Sequence, residues 1–257
     1  MSEQLTGMHD WFLTPPGRYL LAWEQEQLAL AVADVFGFHA LQIGLPEIEA
    51  LQANRMPHRW LAHHSLTPKA DFLTDFAALP FQASSLDLVV LPHSLELSPD
   101  PHTTLREVER VLVPEGRVVI CGFNPASLWG LRQRRAHLYH RLGFGHMFLP
   151  KAGEFIGFWR LRDWLRLLGF EVEVARFGCY RPGFTSDKWL QRFDWMDRLG
   201  ERWWPILGAV YFLVAVKRVH GMTLLSPGWK TSPRFLGAPV SVASSATLTG
   251  ARAPKDV

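Results

Sequence analysis

The sequence predicts an α/β fold: a mostly parallel sheet covered by helices on both faces. Two observations carry this. Short apolar runs of strand length recur along the chain, and stretches with helical apolar spacing separate them. A third agrees: 257 residues at 48% hydrophobic and 20% charged suit a folded domain with a core of its own.

Taken in order, Pro15-Pro16-Gly17 reads as a break. Leu20, Trp23, Leu28, Ala31, Val32 and Val35 then form a helical stripe, with Gly37 as its C-cap. His39–Ile43 is the first buried strand and ends at Gly44; Arg59–His63 is the second. Residues 46–54 between them read as a short helix. Leu86–Leu91, between Ser84-Ser85 and Pro92, is the plainest strand, and Asp87 at its mouth is expected to cap backbone amides. His102–Leu112 is helical. Val113–Gly116 turns the chain into the strand Arg117–Cys121. Asn124-Pro125 should open a helix, with Asn as N-cap and Pro at the first position. Phe158–Leu168 places Leu161, Trp164, Leu165 and Leu168 at i, i+3, i+4 and i+7, with Gly169 as the stop. Glu171–Val174 alternates as a strand does. Asp187–Trp204 reads as one helix and Gly208–Val219 as the last strand. From Gly221 onward periodicity ends, so residues 221–257 read as a flexible tail behind a single domain over 1–220.

The net charge of +3 conceals an asymmetry. Residues 1–125 hold 7 Lys/Arg against 15 Asp/Glu, whereas residues 126–220 hold 16 against 8. Different partners for the two halves are implied. Two cysteines, Cys121 and Cys179, exclude a disulfide scaffold and a four-cysteine zinc site. His137, His140 and His146 lie near one another without a local carboxylate, so no metal is expected. The start lacks a basic segment followed by an apolar one. The longest apolar stretch, residues 203–216, is too short to span a bilayer, and a cytoplasmic location is expected.

The segment 71–125 carries Asp75 with Leu79-Pro80-Phe81, then Leu86–Val90, Asp100-Pro101 and Leu105-Arg106-Glu107. Arg110-Val111-Leu112 and Pro114-Glu115-Gly116 follow in order. This succession resembles class I S-adenosylmethionine-dependent methyltransferases of the type-11 branch, and the resemblance extends over nearly all the chain except the tail. It implies a Rossmann-like sheet of seven strands with the last antiparallel and inserted beside the fifth. It also implies S-adenosylmethionine as cofactor, lying across the carboxyl ends of the first and second strands.

Two departures stand out. The family's acidic residue and Gly-x-Gly-x-Gly become Gln42-Ile43-Gly44-Leu45-Pro46-Glu47-Ile48, in which only Gly44 survives. Gln42 lacks the charge that would meet an ammonium, and Ile48 brings a side chain where the family has glycine. The ribose-binding acid at the end of the second strand is replaced by His63-His64-Ser65. By resemblance, the cofactor-binding candidates are Gln42, Gly44, His64, Asp75 (adenine amino group), Phe76 (adenine face), Leu91 and His93. His93 reads equally as a general base or as a satisfied rim histidine. Residues 126–158 form a basic insertion expected to cover the substrate, with Trp129, Arg132, Arg135 and Tyr139 as candidates. Arginine clamps anions and aromatic rings enclose apolar groups.

The expectation is therefore methyl transfer to a small acceptor, acidic or lipid-like, with no assigned catalytic residue. The alternatives are a methyltransferase-like module that binds without catalysis and, on the strength of the basic half, a nucleic-acid methyltransferase. Nucleic acid is not the expected partner: an Asn-Pro-Pro-aromatic motif is absent, which argues against DNA adenine and glutamine N-methylation.

Overall fold

The computed structural model describes residues 8–141, 149 and 155–219; the side chains of 137–141 are outside that description, as are residues 221–257, read above as a tail. Helix α1 spans Pro15–Ala33. Strands β1 (His39–Ile43), β2 (His58–His63), β3 (Phe72–Leu73) and β4 (Leu86–Pro92) follow. Then come α2 (Ser94–Leu97), α3 (Pro101–Val111), β5 (Leu112–Phe123), α4 (Leu128–Arg141) and α5 (Phe158–Leu167). The last elements are β6 (Phe170–Gly178), α6 (Asp187–Arg192), α7 (Trp195–Trp203) and β7 (Val210–Lys217). The strands form one sheet in the order β3-β2-β1-β4-β5-β7-β6, in which β7 alone runs against the rest.

Alternation within each central strand supplies two cores. Leu88 and Val90 of β4 face one side with Leu20, Leu28 and Val32 of α1. Val89 and Leu91 face the other with Leu105, Val108, Leu161 and Leu165 of α3 and α5. Asp87 sits at the strand mouth as expected, accepting from the amides of Phe38 (2.8 Å) and His39 (2.9 Å).

Several elements differ from the sequence reading. Pro15 and Pro16 start the first helix rather than breaking the chain: they occupy its first positions behind Thr14 as N-cap. That helix ends at Ala33, and Gly37 is not its cap. A Cβ at Gly37 would lie 2.4 Å from the Asp87 carboxyl carbon, so closeness to Asp87 is what calls for glycine there. Residues 46–54 are turns, because the Gln42 side chain takes up the backbone groups a helix would have used. Residues 113–116 join β5, with Glu115 at φ 65°. The expected helix over 187–204 is interrupted at Phe193-Asp194. There Phe193 stacks on Phe184 at 5.4 Å, and Asp194 turns to Arg181.

The helix after β5 begins at Leu128, not Pro125. Asn124 instead closes a turn onto the Ala126 amide (3.0 Å) and donates to the carbonyls of Ile206 and Gly208. The cap is Ser127, whose hydroxyl accepts from the Gly130 amide at 3.0 Å. Ser127→Ala is expected to cost about 1 kcal/mol, the usual worth of a lost N-cap, measured by urea unfolding. A midpoint equal to the parent's would show that this bond contributes nothing.

Candidate active site

The carboxyl ends of β1, β2 and β4 gather five of the seven cofactor-binding candidates, Gln42, Gly44, His64, Leu91 and His93. β1 delivers Gln42 into the interior. Its Nε2 donates to the carbonyls of Leu45 (2.8 Å) and Ile48 (2.5 Å), and its Oε1 accepts from the Ala50 amide (3.0 Å). All three bonds go to the loop that follows. That loop is not a glycine cradle: Leu45 and Ile48 are buried in the α1-side core. Gly44 has φ 96°, and a Cβ there would lie 2.7 Å from the Ser94 hydroxyl, so glycine is needed for both conformation and space.

β2 ends at His63, whose Nδ1 meets the backbone and hydroxyl of Ser65. The next ring, His64, stands edge-on to Phe76 at 5.8 Å. Both His64 ring nitrogens are buried without a hydrogen-bond partner, as are Glu47 Oε2 and Thr67 Oγ1. Burial first, then the neighbouring His63, lowers the His64 pKa, which keeps the ring neutral and one nitrogen able to accept. Asp75 is exposed and takes the Ala77 amide at 3.0 Å, while Phe76 is buried in the core. A cleft of about 660 Å³ opens between the loops after β1 and β2. Its walls include Leu45, Pro46, Glu47, His63, Ser65 and Lys69. Pockets of about 300–1,000 Å³ are those that enclose small molecules.

At the end of β4, Leu91 packs into the α3-side core, and His93 turns away at φ 52°. His93 is fully buried between two carboxylates: Nδ1 meets Glu96 at 2.9 Å, and Nε2 meets Glu24 of α1 at 2.9 Å. Glu96 also accepts from the Phe123 amide at the end of β5. The network therefore joins α1, β4, α2 and β5. Burial is the largest single influence on His93 and pushes its pKa down. The Glu24 charge and the bonds from both carboxylates together outweigh it and hold the ring protonated to about 10. Burial pushes the Glu96 carboxyl up. With both ring nitrogens engaged, His93 offers no free lone pair to an acceptor. Glu24 was not singled out in the sequence, yet it stands in line with Leu20 and Leu28 at i, i+4 and i+8, a carboxylate on a buried stripe.

The candidates on α4 lie elsewhere. Trp129 is buried, and its Nε1 donates to the Arg181 carbonyl at 2.7 Å; Arg132 donates to the Gly183 carbonyl. Arg135 is exposed. The Tyr139 side chain lies outside the described residues. The structure thus brings Gly44, His64 and Phe76 to one edge. Trp129 and Arg132 instead tie α4 to the segment 181–183.

This strand order is that of the class I S-adenosylmethionine-dependent methyltransferase fold, and the cleft lies at the carboxyl ends of β1 and β2. A methyltransferase-domain family model matches residues 52–120. The chain is 32% identical over 221 residues to "Uncharacterized protein YafS" of Escherichia coli (strain K12), covering 83% of this chain and 82% of that one. Its fold is shared by an S-adenosylmethionine-dependent methyltransferase of Thermotoga maritima. The TM-score there is 0.58 at 16% identity, covering 82% of this chain and 94% of the other. One from Archaeoglobus fulgidus gives 0.53 at 17% identity over 77% and 94%.

Proposed function

We propose that the chain binds S-adenosylmethionine in the cleft at the carboxyl edge of β1 and β2 and transfers its methyl group to a small acidic or lipid-like acceptor. The observation that carries this reading is the pair of buried, unpartnered polar atoms on the cleft walls, Glu47 Oε2 and Thr67 Oγ1, with the unpartnered His64 ring following at the end of β2. A buried polar atom without a partner is costly, and a polar ligand relieves that cost. The residues present fit the cofactor. The Glu47 carboxylate suits its ammonium and so replaces the acid missing at Gln42. His64, held neutral, accepts from a ribose hydroxyl, and Asp75 accepts from the adenine amino group. When bound, the cofactor would supply a sulfonium methyl open to in-line attack by the acceptor, with its demethylated thioether as leaving group. The chain's own contribution is to position the two molecules and exclude water.

One observation favours a second reading, a module that binds without catalysis. Gln42 is consumed by its own loop, and Ile48 fills the place where the family resemblance expects glycine. Calorimetric titration of the full chain with S-adenosylmethionine and its demethylated product tests both. Binding is expected, and Asp75→Ala should weaken it about tenfold, the equivalent of one lost polar contact. No heat at millimolar ligand overturns the methyltransferase reading. Binding without methyl transfer to any acidic or lipid acceptor favours the module.

A further inference from the structure

We infer that α6, α7 and the short turn after them form a docking surface for an anionic lipid bilayer. The helix α7 carries Trp195, Leu199 and Trp203 at i, i+4 and i+8, one stripe on a helix of 3.6 residues per turn. An amphipathic helix normally turns such a stripe inward, but here it faces solvent. Trp195, Leu199 and Trp203 are 50%, 41% and 68% exposed, while the buried position is Gly200, packed against Tyr180. Trp189 on α6 and Trp204 after α7 are each about half exposed, at 52% and 51%, and Ile206 and Leu207 extend the apolar surface.

Most charges around the stripe are sorted, with Glu201 the exposed carboxylate left on α7. Asp187 pairs with Arg18 of α1, and Asp194 and Asp197 are both held by Arg181 on the body of the domain. The exposed cations are left outward. Lys188, Arg192 and Arg202 form no ion pair among the described residues, and Arg198 reaches Asp194 only at 3.9 Å. By helical angle, Arg198 and Arg202 border the Trp195–Trp203 stripe. Arg192 lies over the Trp189 ring at 5.8 Å.

This combination selects the occupant. Tryptophan has an apolar body and a polar N–H, and it concentrates where hydrocarbon meets water. A protein interface core excludes lysine and surrounds its apolar residues with others, whereas here cations interleave the rings. Apolar rings for the acyl boundary, with arginines for phosphate headgroups, are the recognition chemistry of an interfacial helix. Among the described residues no helix is long and apolar enough to cross a membrane. The inference stands independently of the methyl-transfer reading.

The test is sedimentation of the full chain with vesicles of phosphatidylglycerol or of phosphatidylcholine. Partition onto the anionic vesicles should be at least about tenfold stronger at low salt and should fall as salt is raised. Phosphatidylglycerol with brominated acyl chains should quench tryptophan fluorescence. The triple substitution Trp195→Ala, Leu199→Ala, Trp203→Ala should lower partition about tenfold, with an unchanged far-ultraviolet circular dichroism spectrum, since the apolar contact area is lost. Arg198→Gln with Arg202→Gln should remove most of the preference for the anionic lipid. Absence of partition onto phosphatidylglycerol overturns the proposal, as does equal partition of the folded triple variant. A dimer that the triple variant abolishes, in a chain that ignores vesicles, assigns the surface to a second copy and likewise overturns it.

Discussion

Replacing His93 with leucine is expected to remove about 3–5 kcal/mol of folding stability, seen as a lower urea midpoint with the slope unchanged. The reason is what remains. Glu24 and Glu96 are both buried and lie on opposite sides of one imidazolium, so removing that ring leaves two carboxylates facing a cavity without a cation. Adding Glu24→Leu to the variant should recover part of the loss, because an apolar pair costs less than an uncompensated buried charge. The same network gives a direction with pH. The folded ring keeps its proton to about 10, against an ordinary value of 6.5. A group whose folded pKa is raised contributes fully below its unfolded value and loses that contribution as pH rises through the folded one. Glu96, also raised, acts in the same sense from a lower starting pH. Stability should therefore decline between about pH 6.5 and 10, by up to about 1.4 kcal/mol per pH unit for each proton. The His93→Leu protein should show a flatter decline. A loss below about 1 kcal/mol, or a parent protein that gains stability over this range, would disprove the charged network.

Gln42→Glu is expected to cost about 3 kcal/mol, although the substitution installs the residue type usual in the resembling family. From the sequence alone, a glutamate there would simply supply an ammonium contact. In the folded chain the amide nitrogen holds the carbonyls of Leu45 and Ile48, and a carboxylate has no hydrogens to give them. Two buried carbonyls would lose their donor and face a negative charge. Urea unfolding of the variant measures the cost. Stability equal to the parent's would mean that the loop does not depend on this side chain.

The fold was legible where a segment's own periodicity decides its structure. β4 reads from its apolar run and its flanking serines and proline; α5 reads from Leu161, Trp164, Leu165 and Leu168. Legibility failed where backbone groups are satisfied by distant side chains. The 46–54 turns depend on Gln42, and a helical reading of those residues has no access to that. Asn124 and Ser127 are both competent caps, and the choice between them is made by carbonyls at 206 and 208, far along the chain. The His93 network was hidden for the same reason, since Glu24 lies 69 residues away. Its trace in the sequence was a carboxylate on an otherwise apolar stripe. Trp129 and Arg132 present the chemistry of a substrate clamp, and among their bonds are those to the carbonyls at 181 and 183, which the sequence does not disclose.

The placement of β7 between β5 and β6 has a consequence for biosynthesis. Among the described residues, residues 117–123 of β5 find their antiparallel neighbours only in residues 210–216, and β6 has no sheet neighbour except β7. As the chain leaves the ribosome, β5 therefore waits for roughly ninety further residues with one edge unpaired, at a strand whose side chains are almost wholly apolar. That interval exposes a nascent chain to mispairing and to chaperone capture. A ribosome stalled just before Val210 should hold a sheet ending at β5, with β6 unattached. Protease protection of β6 should appear only once Lys217 has emerged.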